Sequence, residues 1–350
     1  MLQPGNSSFC RAQLLETNRS LAPDGGSAPE AAVVPAVFGL IFVVGVVGNS
    51  LVMAVIGKVK YGGRRRASSP TNIFILNLSV ADLLFLLLCV PFQATIYSLP
   101  QWVFGSVLCS FGHYFSAVSM LVSVFTLAAM SVDRYVAVVL SNKSARVRSR
   151  QNALCGVCAI WMLSLLVSVP VFQHQVLTSH PSAPNSTFCW EQWSGASRRA
   201  YRVTLLLIGY LLPLLLISCC YSKVLFHLHK KLKNMSRNSG RSKRKTAQTV
   251  LLVVAAFTIC WMPHHIIAMW VEFGTFPLNE ATFAFRIVSH CLSYGNSCVN
   301  PVLYAFLSEN FRKACRQVFT GCFLYPRPPS GEVVRLRTEN FSTTHSTTNI

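Results

Sequence analysis

Acidic side chains are scarce in this sequence. Its 350 residues hold 11 Asp and Glu against 31 Lys and Arg, and only 12% are charged, about half the share of an ordinary soluble domain. The sequence offers no paired carboxylates for acid–base work, no cluster with metal-ligand spacing and no nucleophile set beside a base. His264 and His265 are adjacent, so on a helix they diverge by about 100°. An enzyme is therefore a weak reading. No repeat relates the two halves, and Asp82 is the one strong acid deep inside an apolar run. Both absences argue against a transporter or channel, which would show internal symmetry and several charges along a pathway. Residues 1–32 are polar and lack the apolar core of a cleavable signal peptide.

Apolar residues dominate what remains: 52% of the chain, with a mean hydropathy of +0.45. They gather in seven runs, near 33–58, 71–97, 107–140, 152–173, 200–226, 246–271 and 283–306. Each is long enough to cross a bilayer, which takes about 20 mostly apolar residues. The fold class expected is an all-α membrane protein, a seven-transmembrane helix bundle whose backbone groups are satisfied within each segment. Most Lys and Arg fall in four places: Lys58 to Arg66, Lys143 to Arg150, Lys223 to Lys245, and Arg312 to Arg337. These are alternate gaps plus the C-terminal region, the positive-inside pattern. The net charge of +20 thus reports topology and contact with anionic membrane lipid or a cytosolic partner. Nucleic acid is not implied.

The expected organisation is an extracellular segment over 1–32, the bundle over 33–306, an amphipathic membrane-surface helix over 307–322 and a disordered cytoplasmic tail over 323–350. Glycosylation sequons begin at Asn6, Asn18 and Asn185, on the outer side. Cys315 and Cys322 lie beside the inner leaflet, where palmitate could be attached. Most of the 13 cysteines sit in apolar runs as reduced core residues. Cys109, opening the third run, and Cys189, between the fourth and fifth, both face the oxidising side, and a disulfide can join them.

Polar groups inside apolar runs carry more information. The third run ends in Ser131-Val132-Asp133-Arg134-Tyr135, and Asp133-Arg134 is either a pair of interfacial charges or a buried functional pair. Asn49, Asp82, Ser123, Asn296 and Asn300 are spread over four runs. They either form a water-filled cluster able to hold a sodium ion or make helix–helix hydrogen bonds worth about 1 kcal/mol each. Pro170, Pro213, Pro263 and Pro301 each remove a backbone donor and permit a bend.

Taken in order, Gly48-Asn49, Leu78-Ser79-Val80-Ala81-Asp82, Asp133-Arg134-Tyr135, Trp161, Pro213, Cys260-Trp261-Met262-Pro263 and Asn300-Pro301-Val302-Leu303-Tyr304 resemble the motifs of the rhodopsin-class G-protein-coupled receptors. The resemblance covers nearly the whole chain. It implies that Asp133 holds Arg134 at rest and that Arg134 meets a G protein on activation, next to Tyr135. It implies that Tyr221 and Tyr304 turn inward, and that Phe257 and Trp261 pass pocket occupancy to the sixth helix. Asp82, Ser123 and Asn296 match the family's allosteric sodium site; no other cofactor or metal is implied. Arrestin and receptor kinases would act at the C-terminal tail.

Two further absences narrow the ligand. Residues 283–306 contain no lysine to hold retinal, and no acid lies between Cys109 and Asp133 to pair with an amine. The strings VPFQATIY (90–97), FTLAAM (125–130), FCWEQW (188–193), HLHKKLKNM (227–235) and FLSENFRKA (306–314) resemble the galanin receptors, most closely those of type 1. That resemblance implies the neuropeptide galanin or a relative as ligand, with His265, Glu272, Phe283, Arg286 and His290 as contacts. It implies an inhibitory (Gi/o) G protein, lowered cyclic AMP and a place in the plasma membrane. Two positions depart from the type 1 pattern: Ala268 replaces a histidine and Ser116 an aromatic, so preference among galanin-like peptides can differ.

Overall fold

The structure, a computed structural model, describes residues 29–61, 70–99, 101–140, 144, 146–180, 183–193, 195–232, 237–277, 279–307 and 315–316. Among them are seven long helical rods. They are α1 (Pro29–Tyr61), α2 (Pro70–Ser98), α3 (Gly105–Val138), α4 (Arg150–His174), α5, α6 (Arg237–Phe273) and α7 (Glu280–Leu307). The rod α5 has three parts: Gly195–Leu206, a π-helical turn over Leu207–Leu211, and Leu212–Leu232. All seven expected runs are helical. Both α5 and α6 extend beyond the expected runs into the basic connection between them.

Local chemistry sets several of the helix ends. Ser149 caps α4 by accepting the Asn152 N–H at 3.0 Å. Asn279 and Thr282 cap α7 reciprocally: Asn279 Oδ1 accepts from the Thr282 N–H at 2.9 Å, and Thr282 Oγ1 from the Asn279 N–H at 3.2 Å. Six of the rods are long and apolar enough to cross a membrane. The remaining one, α7, is 28 residues long but carries Ser289, Ser293, Asn296, Ser297 and Asn300, all buried. Its lower hydropathy reflects a polar stripe turned toward the other helices.

The rod α3 is the axis of the bundle. Its spanning window is 67% buried, against 17% for α4 and 22% for α1, and it touches α2, α4, α5, α6 and both strands. The large core cluster gathers around its Met120, Leu121, Val124 and Leu127, with Ile217, Tyr221, Phe257 and Trp261 from α5 and α6. The connection between α4 and α5 is a hairpin. Strand β1 (Gln175–His180) pairs antiparallel with β2 (Ala183–Glu191), placing Leu177 opposite Cys189.

The α1–α7 contact shows how a proline is accommodated. Pro301 has no N–H, so the Ser297 carbonyl four residues back lacks its helical donor. Asn49 Nδ2 fills that role at 2.9 Å and also donates to Gly45 O at 2.9 Å. The approach requires Gly48, where an added Cβ would lie 2.8 Å from Pro301 Cγ. Gly48→Ala is therefore expected to cost ~1–3 kcal/mol through overpacking. Thermal unfolding of the solubilised protein measures this, and an unchanged midpoint would mean that α1 can shift without loss.

Residues 1–28 of the expected extracellular segment over 1–32, most of the expected amphipathic helix over 307–322 and all of the expected tail over 323–350 lie outside the described residues. Asn6, Asn18 and Cys322 fall there. Asn185 lies in β2, and Cys315 is helical and half-buried.

Candidate functional site

At the end of the bundle where α3 gives out, Asp133 and Arg134 are both buried, so they are not charges at a solvated edge. Arg134 Nη2 reaches Asp133 Oδ2 at 3.1 Å. The closer partner of Asp133 is Arg148, which the sequence reading did not single out. Its Nε meets Oδ1 at 2.7 Å and its Nη2 meets Oδ2 at 3.3 Å. Thr71 of α2 donates to the same Oδ2 at 2.7 Å, and Arg134 also bonds the Thr71 hydroxyl. One carboxylate thus serves two guanidiniums, and the two-pronged grip belongs to Arg148. Tyr221, from α5, is buried in the neighbouring core. Tyr135 lies beneath the Lys223 ammonium, 5.7 Å from its ring centroid. Tyr304 belongs to α7, and its side chain lies outside the described residues.

Midway along the bundle, Asp82 is fully buried. Its Oδ2 accepts from Asn300 Nδ2 at 3.0 Å, while Oδ1 has no donor at hydrogen-bond geometry among the described residues. A buried acceptor without a donor is costly, and a cation would satisfy it. Ser123 and Asn296 are buried as well. Nearby, Asn77 receives the Trp161 indole N–H at 2.8 Å and donates to Thr126 Oγ1 at 2.8 Å, tying α2, α3 and α4.

A chain of rings leads from mid-bundle toward the hairpin. Phe257 and Trp261 have centroids 6.2 Å apart, Trp261 and His264 5.7 Å, and His264 and His265 5.5 Å. His265 meets Tyr210 of α5 at 4.8 Å, and Tyr210 donates to the Thr258 carbonyl at 3.0 Å. Tyr210 sits in the π turn, where the Leu212 N–H bonds Leu207 O, just ahead of Pro213. Pro263 lies within α6 beside these rings.

At the hairpin end, Cys109 and Cys189 form the expected disulfide, with Cα atoms 5.5 Å apart. The hairpin is tied down again at Trp102, whose N–H donates to Thr187 O at 2.7 Å and whose carbonyl accepts from Thr187 Oγ1 at 2.9 Å. The five residues expected to meet ligand do not all meet one another. Glu272 pairs with Arg198 of α5 at 2.6 Å, a partner the sequence reading missed. His290 shares a hydrogen bond of 3.2 Å with Gln93, which accepts from Tyr294 at 3.1 Å. Arg286 and His113 lie within electrostatic reach of His290. His265 is buried, its Nε2 without a hydrogen-bond partner among the described residues, and Phe283 is half-buried near the start of α7. Ser116 and Ala268 are both partly buried.

The family described as 7 transmembrane receptor (rhodopsin family) matches residues 48–304, which take in all these motifs. The chain belongs to the rhodopsin family of seven-transmembrane receptors. Among this receptor's relatives, galanin receptor type 1 of Homo sapiens is 63% identical over 284 residues, 81% of this chain and 80% of that one. Galanin receptor type 1 of Mus musculus is 60% identical over 297 residues, 85% of this chain and 84% of that one. Galanin receptor type 2 of Mus musculus is 46% identical over 321 residues, 91% and 84% of the two chains. The receptor is thus a multi-pass membrane protein of the plasma membrane that works with a G protein, and it is not an enzyme.

Signals for the missed partners were faint. Arg148 is one of several basic residues after α3, and Thr71 looks like any polar residue at a helix start. Only the fold brings them to Asp133.

Proposed function

We propose that this receptor binds galanin or a galanin-like peptide at the hairpin end of the bundle and couples to inhibitory (Gi/o) G proteins, lowering cyclic AMP. The observation that carries this reading is the 63% identity to a galanin receptor of type 1. The hairpin end is extracellular in this reading, with the N-terminus outside and the C-terminus in the cytoplasm. That fits the disulfide there and the basic connection at the other end.

The ligand contacts are His265, Glu272, Phe283, Arg286 and His290. Peptide contact here reaches Trp261 through the His265–His264 ring pair, and Trp261 with Phe257 lies above the α3 core. A sodium ion held by Asp82, Ser123 and Asn296 would neutralise Asp82 and favour the resting packing. Tyr221, Tyr304 and the bend at Pro301 complete the opening of the cytoplasmic end, where Arg134 meets the G protein. Arrestin and receptor kinases act at the tail, Cys315 and Cys322 carry palmitate, and Asn6, Asn18 and Asn185 carry glycans. Ser116 and Ala268 shift preference toward another galanin-like peptide relative to type 1 receptors.

The test is cyclic AMP in forskolin-stimulated cells expressing the receptor, titrated with galanin. A dose-dependent fall is expected, and silence from receptor verified at the surface would sink galanin as the ligand. Phe283→Ala and His290→Ala are each expected to weaken peptide binding by ~1–3 kcal/mol, roughly 5- to 150-fold, at unchanged surface expression. Unchanged affinity in both would remove them from the site. Asp82→Asn should abolish the sodium dependence of agonist binding, and a sodium response kept by the variant would place the ion elsewhere.

A further inference from the structure

Two ion pairs stand at the hairpin end of the bundle, and both start from one face of α5. Arg198 and Arg202 are four residues apart, so they project to the same side of the helix. Arg198 Nε lies 2.6 Å from Glu272 Oε1 of α6. Arg202 Nη2 lies 2.5 Å from Oε2 of Glu191, the last residue of β2. The Glu272 side chain is 7% exposed, and a carboxylate so far from water needs a counter-charge to stay ionised without large cost. Both pairs border the residues expected to meet ligand. Glu272 is one of them, and Arg202 is within electrostatic reach of His264 and of a second, His265. Glu191 and Arg202 both reach His113 of α3.

A carboxylate standing alone at a peptide site attracts Lys and Arg side chains. Here each carboxylate already has its cation. A basic ligand side chain must either evict an arginine or lie beside it as a like charge, and the second course is costly in a partly buried site. The pairs still have something to offer a ligand. A carboxylate has more acceptor sites than one guanidinium nitrogen fills, so each pair can accept from an uncharged donor such as an indole, a hydroxyl or a backbone amide.

We propose that Arg198 and Arg202 are specificity-determining residues, holding Glu272 and Glu191 as neutral pairs so that the site admits a peptide segment with uncharged donors and excludes one with Lys or Arg. The proposal rests on the peptide reading above and adds the side-chain chemistry that the site selects.

The experiment is competition binding to membranes carrying the full-length receptor. The probes are galanin and a set of analogues in each of which one residue is replaced by lysine. The quantity read is the affinity of each analogue relative to galanin on the same receptor, which cancels any general loss of binding. In Arg198→Gln, at least one lysine analogue should gain about 10- to 100-fold over its wild-type ratio, because Glu272 is left without its cation. Arg202→Gln should do the same through Glu191. Arg198→Lys should keep the wild-type ratios, and the exchange Arg198→Glu/Glu272→Arg should restore them. Adding Glu272→Gln to Arg198→Gln should erase the gain. An arginine whose glutamine variant gives no analogue a gain is not a specificity residue. A gain that survives Glu272→Gln, or tenfold tighter binding of galanin itself to Arg198→Gln, would overturn the proposal, the latter by showing that the peptide displaces the arginine. Thermal midpoints without peptide read the pair independently: Arg198→Gln and Glu272→Gln should be non-additive, and strict additivity would also overturn it. Galanin that fails to bind wild-type receptor strikes the ligand reading instead, a result seen before any variant is compared.

Discussion

Arg134→Ala is expected to abolish agonist-driven nucleotide exchange while leaving peptide affinity in the absence of G protein unchanged. The geometry separates the two effects. Asp133 keeps both Arg148 contacts, at 2.7 and 3.3 Å, and the Thr71 hydroxyl at 2.7 Å, so truncating Arg134 does not strand a buried carboxylate. The cost usually attached to breaking a buried pair is therefore mostly avoided. What is lost is a guanidinium able to leave one oxygen and donate to a partner, the kind of anchor worth ~2–4 kcal/mol at an interface, or roughly 30- to 1,000-fold. Guanosine nucleotide exchange on purified Gi in membranes of matched receptor density reads this. Retention of half the wild-type signal would show that Arg134 is not the contact. Asp133→Ala differs in kind, because it leaves the Arg134 and Arg148 guanidiniums near one another without their shared counter-charge. That variant should lose thermal stability as well.

Cys109→Ser, with or without Cys189→Ser, is expected to lower peptide affinity by about 10- to 100-fold, roughly 1.4–2.7 kcal/mol, because a hairpin freed from α3 must be ordered again on binding. The bridge closes 80 residues, but α3 and α4 within that loop are already membrane-inserted, so the gain from restricting the unfolded chain is smaller than the length suggests. The main effect is local. The disulfide fixes β2 to the start of α3, while the Trp102–Thr187 pair and the Ser110 hydroxyl, donating to Gln175 O at 2.9 Å, hold the rest of the hairpin. Those ties keep the hairpin near the mouth without fixing its register over it. Saturation binding on receptor counted at the cell surface measures the change. The single and double variants should match, because either one breaks the same bond. Wild-type affinity in the double variant would show that the hydrogen bonds alone position the hairpin.

Much of this protein was legible in its sequence, for an identifiable reason. A bilayer admits backbone only when each segment satisfies its own hydrogen bonds, so a long apolar run determines a helix before any packing is known. The seven rods follow from that, and the Cys109–Cys189 bridge from the oxidising compartment that both cysteines face. Residues such as Asp82, Asp133 and Pro301 stood out because polar or kinking residues in hydrocarbon need a reason to be there, while Trp161 stood out only through the family resemblance.

Partners were another matter. That Asp133 is gripped chiefly by Arg148, that Glu272 turns to Arg198, and that Asn49 supplies the donor missing at Pro301 could not be read from spacing. These contacts join residues up to 248 positions apart, and a long side chain on one helix can reach several neighbours at similar cost. The hairpin and the π turn ahead of Pro213 escaped for a related reason, since short runs of mixed polarity suit several backbone forms and the surrounding contacts choose among them. The sequence by itself determined which segments cross the membrane and which residues are unusual there. Only the tertiary structure decided which charge meets which, because close pairing depends on differences of a few ångströms between helix faces that hydropathy does not encode.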